Sequence, residues 1–347
     1  MVHPGFFDLD RRLEAISTKG DALETIKTAV PWEDFRADIE AATGRKREER
    51  KSNAGRKPYD AILKFKVLVL QSLYNFSDAQ TEFMIRDRLS FMRFLDLRLE
   101  APVPDATTIW LFREALVDAQ LVDKLFDRFG QHLQAKGYIA RGGQIVDATI
   151  VSVPRQRNTK EENETIKNGE TPKEWEKEPA KLAQKDVDAR WTKKNDESFY
   201  GYKNHIGVDK AHKLIRKWDA TDAAVHDSQK LDDILDLSNT AKDVWADSAY
   251  RSAAIEQRLK EKDLMSRIHR RAVRSHPLSE KQKAANTTRS KVRARVEHVF
   301  GHQENSMGRK IVRTIGIARA RFKIGMMNLG YNIRRLVQIE RAAAAPA

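Results

Sequence analysis

From residue 60 onward apolar side chains recur every three or four positions. Ile62, Leu63, Val67, Leu70, Leu73 and Tyr74 fall on one stripe, which predicts a helix. Ser77 and Asp78 can cap a second helix through Phe83, Met84 and Ile85, and Ser90 a third through Phe91, Phe94 and Leu95. After Pro102 and Pro104, Asp105 can cap a helix holding Trp110, Leu111, Phe112 and Leu116. A longer amphipathic helix through Leu121, Leu125, Phe126, Phe129 and Leu133 ends near Gly137. Short helices joined by tight turns are similar to a helix-turn-helix bundle, a pattern that any small α-bundle shares. Residues 1–44 read as a loosely helical segment and 45–59 as a basic, polar arm.

The texture changes at Gly142-Gly143. Residues 144–153 are rich in β-branched side chains and read as a buried strand. Residues 155–196 are almost purely polar, with charges of both signs, and read as an insertion loop. Strands follow at 202–208 and 214–221, a helix at 227–237, a short strand at 243–248 and a helix at 253–262. A strand at 265–268 and a helix at 289–303, with Val292, Val296, Val299 and Phe300 on one face, complete the pattern. The order β-β-β-α-β-α-β-α predicts an α/β domain with a mixed sheet flanked by helices, preceded by an all-α region.

Composition narrows the class of protein. The 347 residues carry 64 Lys+Arg against 50 Asp+Glu, a net charge of +14, and no cysteine. No stretch approaches the roughly 18–20 apolar residues of a membrane span, so no membrane partner is expected. Asp8 and Asp10 with no apolar core do not read as a signal peptide. Disulfides, thiolate zinc sites and a cysteine nucleophile are excluded, and cytoplasm is the expected compartment. Residues 264–323 hold 16 basic residues and three acids (Glu280, Glu297, Glu304), a balance of +13, so the rest of the chain is near neutral. So lopsided a segment asks for a polyanion, and nucleic acid is the first candidate.

Three acids stand out by placement. Asp147 lies inside a predicted buried strand, Asp247 at the end of another, and Glu297 beside the apolar stripe of a basic helix. A buried carboxylate is costly without compensation. Hard oxygen ligands suit Mg²⁺ or Mn²⁺, and two such ions can support phosphodiester transfer. The same residues also admit a structural reading, in which Asp147 caps a loop and Glu297 pairs with Arg293 at i,i−4.

Further motifs occur in one order: Val146-Asp147-Ala-Thr, Gly201-Tyr-Lys-Asn-His205, Val225-His-Asp-Ser228, Trp245-Ala-Asp-Ser-Ala-Tyr250 and Arg293-Ala-Arg-Val-Glu297. Together they resemble the DDE transposases of bacterial insertion sequences, specifically the IS-five family. Gly55-Arg-Lys-Pro-Tyr59, Leu89-Ser-Phe-Met-Arg-Phe-Leu95 and Val103-Pro-Asp-Ala-Thr-Thr108 resemble that family's helical N-terminal domain. The resemblance runs from about residue 30 to 335. It implies an RNase H-like catalytic domain over 141–335 with the polar insertion 155–196, a helix-turn-helix-like DNA-binding or assembly domain over 60–140, and a tail at 336–347. It implies a two-metal site, with Asp147, Asp247 and Glu297 as catalytic residues and metal ligands of two Mg²⁺ or Mn²⁺ ions. In related transposases a signature surrounds that glutamate: Tyr, two residues, Arg, three residues, Glu, six residues, Lys. Arg293 and Glu297 match it, whereas Ser290 stands at the tyrosine position and Glu304 at the lysine position, with Lys310 or Arg309 as a substitute lysine.

The implied activity is metal-dependent cleavage at insertion-sequence ends and strand transfer into target DNA, by a homodimer or larger assembly on paired ends. A DNA-binding regulator that has lost catalysis is the alternative. Candidate DNA contacts are Lys291, Arg293 and Arg295 on the late helix, Arg251, Arg270, Arg271 and Lys310, and Lys203 and His205 in the same cleft. Trp191, in a polar segment beside Lys193 and Lys194, can stack on a base, whereas Trp218 and Trp245 read as core. His298 and His302 have i,i+4 zinc-binding spacing but lack the His-Glu-x-x-His pattern.

If residues 264–323 hold phosphates, affinity for duplex DNA falls by roughly a thousandfold or more between 50 and 200 mM salt. Anisotropy titrations across that range check it, and a flat dependence removes the assignment.

Overall fold

The computed structural model describes residues 7–44, 58–194, 196–272, 277–308 and 310–344. Most of the basic arm (45–57) and Arg309 lie outside the described residues. The chain divides into two compact units, one of residues 1–132 with 329–347 and one of residues 133–328.

The first unit is helical: α1 (Asp8–Thr18), α2 (Ala22–Ala29), α3 (Arg36–Thr43), α4 (Ala61–Tyr74), α5 (Asp78–Asp87), α6 (Leu89–Phe94), α7 (Ala106–Asp118) and α8 (Val122–Ala135), which runs three residues into the second unit. The caps explain where the helices begin. The Asp60 carboxylate accepts from the Ile62 and Leu63 amides, Ser77 and Gln80 form a capping box, and Asp105 accepts from Thr108. Ser90 does not cap α6, which starts one residue earlier with no side-chain cap. On α7, Phe112 and Leu116 are buried while Trp110 and Leu111 are exposed. Buried cations in this unit have acidic partners: Arg113 is bidentate to Asp78 at 2.5 and 2.8 Å, and Lys66 meets Asp96 at 2.9 Å.

The second unit is built on a mixed sheet of β1 (Gln144–Ser152), β2 (Arg190–Lys194), β3 (Glu197–Asp209), β4 (Ile215–Asp222), β5 (Asp243–Trp245) and β6 (Met265–Ser266). β3 pairs antiparallel with β1 along one side, and with β2 and then β4 along the other. β5 lies parallel to β1, and β6 parallel to β5. Successive side chains along β1 point to opposite faces. Val146 points into a core with Ile234, Val244, Tyr250 and, from α12 (Ala253–Glu261), Ile255 and Leu259. The other face meets α13 (Glu280–Ser306), which buries Val296, Val299, Phe300 and Gln303. Asn204 of β3, Gln303 and Asn328 are joined there by buried amide hydrogen bonds of 2.8–3.0 Å. Asn328 lies on α14 (Ile317–Ala344), a helix that continues through most of the segment expected as a tail.

Three further expectations change. The helix at 227–237 is two short 3₁₀ turns, Asp227–Lys230 and Asp232–Ile234. α13 begins nine residues before the expected helix start at 289, because Ser279 and Gln282 close a capping box there. The insertion is not a loop: it contains α9 (Lys160–Lys167), α10 (Lys173–Glu176), α11 (Pro179–Leu182) and β2. Its Trp175 is fully buried and donates to Glu162 at 2.6 Å, with Lys185 4.8 Å from its ring, so one aromatic residue gathers a polar segment.

The close approach of a 3₁₀ turn to β3 depends on Gly207, where an added Cβ would lie 2.1 Å from the Ile234 carbonyl oxygen. Gly207→Ala is expected to lower stability by roughly 1–3 kcal/mol, read as a lower urea midpoint; an unchanged midpoint means the turn shifts without cost.

Candidate active site

Three chain segments, far apart in sequence, contribute the acids. Asp147 lies in the middle of β1, on the face that α13 covers. Asp247 follows β5 by two residues and caps a single 3₁₀ turn, its Oδ1 accepting from the Ala249 amide at 2.8 Å. Glu297 lies on α13, one turn beyond Arg293. The Arg293 guanidinium donates to Asp147 Oδ2 at 2.9 Å and to Glu297 Oε1 at 3.0 Å, so one side chain joins the strand acid to the helix acid. The i,i−4 pair of the structural reading is therefore present, and it extends to Asp147.

The electrostatics are unequal. The Asp147 side chain is 14% exposed against 60% for Glu297. Burial pushes the Asp147 carboxyl up to about 6, and the charge of Asp247 adds to this. The Arg293 cation, the Ala148 amide and Lys194 oppose it without cancelling it. Tyr250 is buried nearby with no hydrogen-bond partner for its hydroxyl; burial, with the charges of Asp147, Asp227 and Asp247, holds its ionisation far above the ordinary range. Burial, more than charge, thus sets the ionisation of this centre.

A second lysine reaches the same strand face. Lys310 donates to Thr149 Oγ1 at 3.0 Å, two residues along β1 from Asp147, and lies 3.6 Å from Glu304. An ammonium therefore meets the position at which the resemblance expects a lysine. Burial pushes Lys310 below its ordinary range.

Beyond Asp247 the arginines gather. Arg251, Arg270 and Arg271 line a cavity of about 500 Å³ with Ser279 and Gln282 at the start of α13. Arg289, which the sequence reading did not single out, joins them. Burial first, then the like charges of Arg251, Arg270 and Arg267, lower its hold on its proton. The available signal was its spacing, four residues before Arg293 on one helix.

The remaining candidates are scattered. Lys291 is exposed on α13, and Arg295 donates to the Lys210 carbonyl at 2.9 Å. Trp191 lies on β2, 42% exposed, against Tyr200 and the Arg155 guanidinium. Trp218 and Trp245 are buried. Lys203 and His205 pair across the sheet with Ile150 and Ala148, and so point away from the face of Asp147. His205 is fully buried, bonded to Thr221 at 2.9 Å, and burial holds its ring down to about 4. The alternation of β3, which a linear motif does not display, separates them from the acids.

Three carboxylates supply hard oxygen donors, a set that suits a divalent cation. Among the described residues, however, no three His, Cys, Asp or Glu side chains are grouped closely enough to hold one, and Arg293 is the cation that joins Asp147 to Glu297.

The fold and the site together define a mixed α/β protein whose acidic centre is bordered by arginines, preceded by a helical unit. Residues 140–333 match the model of the transposase DDE domain, and residues 11–115 match that of a transposase domain (DUF772). The chain belongs to the transposase DDE domain family. A cryo-EM structure of the piggyBac transposase synaptic complex with hairpin DNA is similar over 92% of this chain and 73% of that one, at 13% identity and a TM-score of 0.42.

A carboxyl whose folded pKa is about 6 rather than 3.8 binds protons more tightly in the folded state. It therefore costs on the order of 3 kcal/mol above pH 6, relieved as pH falls from 6 towards 4. Asp147→Asn is expected to raise the melting temperature at pH 7.5 in metal-free buffer and to flatten the profile between pH 4 and 6. Parallel profiles would assign the titration to another group.

Proposed function

We propose that the protein is a DDE transposase of the insertion-sequence type, with Asp147, Asp247 and Glu297 as its catalytic acids. The observation that carries this reading is the shared electrostatic centre: Arg293 joins two of the acids, and the third raises the pKa of the first. The strand order β4-β3-β1-β5-β6, with β3 antiparallel and β5 and β6 parallel to β1, supports an RNase H-like core. The motif resemblance supports the IS-five family.

By donor chemistry the three acids would hold two divalent ions, Mg²⁺ or Mn²⁺, which supply activation of water or a 3′-hydroxyl and stabilise the leaving oxygen. Asp147 and Glu297, which Arg293 now joins, are two of the three acids that would hold them. Arg293 would meet phosphate in this surface together with Lys291, Lys310, Arg251, Arg270, Arg271 and Arg289, which hold the backbones of the terminal inverted repeats and target DNA. Arg295 remains a phosphate candidate at the edge of this surface, and Trp191 a platform for an unpaired base. Lys203 and His205 support β3 and β4 instead, through Val225, Asp227 and Thr221. The helical unit and the basic arm read end sequences or assemble the complex, a homodimer or larger on paired ends. Cytoplasm is the proposed compartment; among the described residues no helix is long and apolar enough to cross a membrane.

A DNA-binding regulator without catalysis is the second reading, favoured by the lack of a closed ligand group among the described residues. Cleavage and joining of insertion-sequence end DNA with Mg²⁺ distinguishes the two. Asp247→Ala is expected to lower the rate by roughly a thousandfold or more. Equal activity in both proteins would refute the acidic assignment; end binding without cleavage by either would establish the regulator.

A further inference from the structure

At the end of β1 the chain leaves the sheet through Val153 and Pro154 to Arg155, Gln156 and Arg157. This segment, residues 313–315 and the insertion around α11 enclose a cavity of about 620 Å³. That volume suits a small organic ligand. Two features of its wall bear on which one.

The first is charge. Asp186 is buried, and its carboxylate is engaged by the Tyr202 hydroxyl at 2.7 and 2.8 Å and by the Asp188 and Ala189 amides at 3.0 Å. Glu178 faces Lys181 at 3.7 Å. Lys185 is held by Asn158 and the Arg157 carbonyl, and Arg155 by the Ser198 carbonyl. Arg157 and Arg313 line the cavity with no acidic partner among the described residues. The wall keeps more cations than acids, and these two arginines suit an anion such as phosphate.

The second is an unmet hydrogen bond. Gln156 Oε1 and Thr314 Oγ1 are buried in this wall without partners. The amide oxygen can only accept, and a phosphodiester offers only acceptors. A ligand that meets both features carries a hydrogen-bond donor as well as a phosphate. A nucleotide has both, provided its base edge is not engaged in pairing.

The cavity also lies in line with the acidic centre. Ser152 donates to the Lys310 carbonyl at 3.2 Å and accepts from Val312 at 3.0 Å, so residues 310–312 run beside the end of β1. From Asp147 the cations met along this edge are Lys310 and then Arg313. The six residues from Asp147 to Val153 span about 20 Å, or about six nucleotides at the duplex rise of 3.4 Å per strand.

We propose that this cavity binds an unpaired nucleotide of the DNA strand that lies over the acidic centre. Its phosphate meets Arg157 and Arg313, and its base donates to Gln156 Oε1. The proposal rests on the reading of the chain as a DNA-processing enzyme.

The test uses the full chain in metal-free buffer and fluorescence anisotropy. The probes are a blunt duplex, the same duplex with a single-stranded adenine extension of about six nucleotides, and the same with an abasic extension. The adenine extension is expected to bind about tenfold tighter than the blunt duplex, and the abasic one less tightly than adenine. Arg157→Ala with Arg313→Ala abolishes the gain and makes the log affinity against log salt shallower by roughly 1.4 for two lost contacts, with blunt-duplex affinity retained. Lysine at both positions keeps most of the gain, which damage to the fold would not allow. Gln156→Leu reduces adenine to the abasic level. An extension that adds nothing, a gain that survives the double alanine variant, or equal binding of abasic and adenine extensions would overturn the proposal. Displacement of the extension by millimolar free adenosine monophosphate would assign the cavity to mononucleotides and overturn the strand-bound source. If no probe binds, blunt duplex included, the proposed function itself fails; if only the extension arms fail, this proposal alone does.

Discussion

The Asp147 carboxylate sits in the middle of β1 on the face that α13 covers, where burial opposes its charge, and Arg293 reaches across to meet it. Because the same guanidinium also holds Glu297, the register of α13 against the sheet is coupled to the state of the strand acid. The apolar side chains that seat the helix, Val296, Val299 and Phe300, follow Arg293 at three, six and seven residues. Packing and charge therefore set one alignment. A shift of one turn would move Arg293 away from Asp147 and take Val296 out of the core together.

Several arginines near the acidic centre are held differently from the buried cations of the helical unit. In the helical unit Arg113 and Lys66 meet carboxylates and contribute to a closed core. Near the acidic centre, Arg289 donates to the Ile268 carbonyl and Arg295 to the Lys210 carbonyl, and Arg251 combines the Ile268 carbonyl with one acid, Glu256. A carbonyl fixes a guanidinium in place and leaves its charge intact. The positive field around the carboxylates is thus held rigidly while remaining available to an incoming anion. The +13 balance of residues 264–323 alone does not imply that arrangement, since the same composition with paired acids would be only a solvated surface.

The parts legible in advance were those written in local chemistry. Ser77 and Asp105 cap helices where expected, and β1 is one residue shorter than its β-branched run. The misses share a cause. Ser90 has a capping side chain, but Arg88 already starts α6. The 227–237 segment has helical spacing, but its leucines and isoleucine pack onto a sheet face at a glycine, which suits two tight turns. Residues 155–196 look uniformly polar, and their contact with β3 and one buried tryptophan help give them structure. In each case a tertiary contact outweighed the local pattern.

For the candidate site, the sequence alone determined the residue types: a strand acid, an acid after a second strand, an acid four residues beyond an arginine, and the concentration of basic residues around the last. Those follow from order and spacing along one chain. The tertiary structure decided which of them meet. It placed Arg293 between two acids, brought Lys310 to the strand face of Asp147, added Arg289 to the surroundings, and sent Lys203 and His205 to the opposite face of the sheet. The physical reason is that side chains alternate along a strand, so neighbours in a motif need not share a face. Burial, which raises Asp147 to about 6, likewise exists only once α13 has closed over β1.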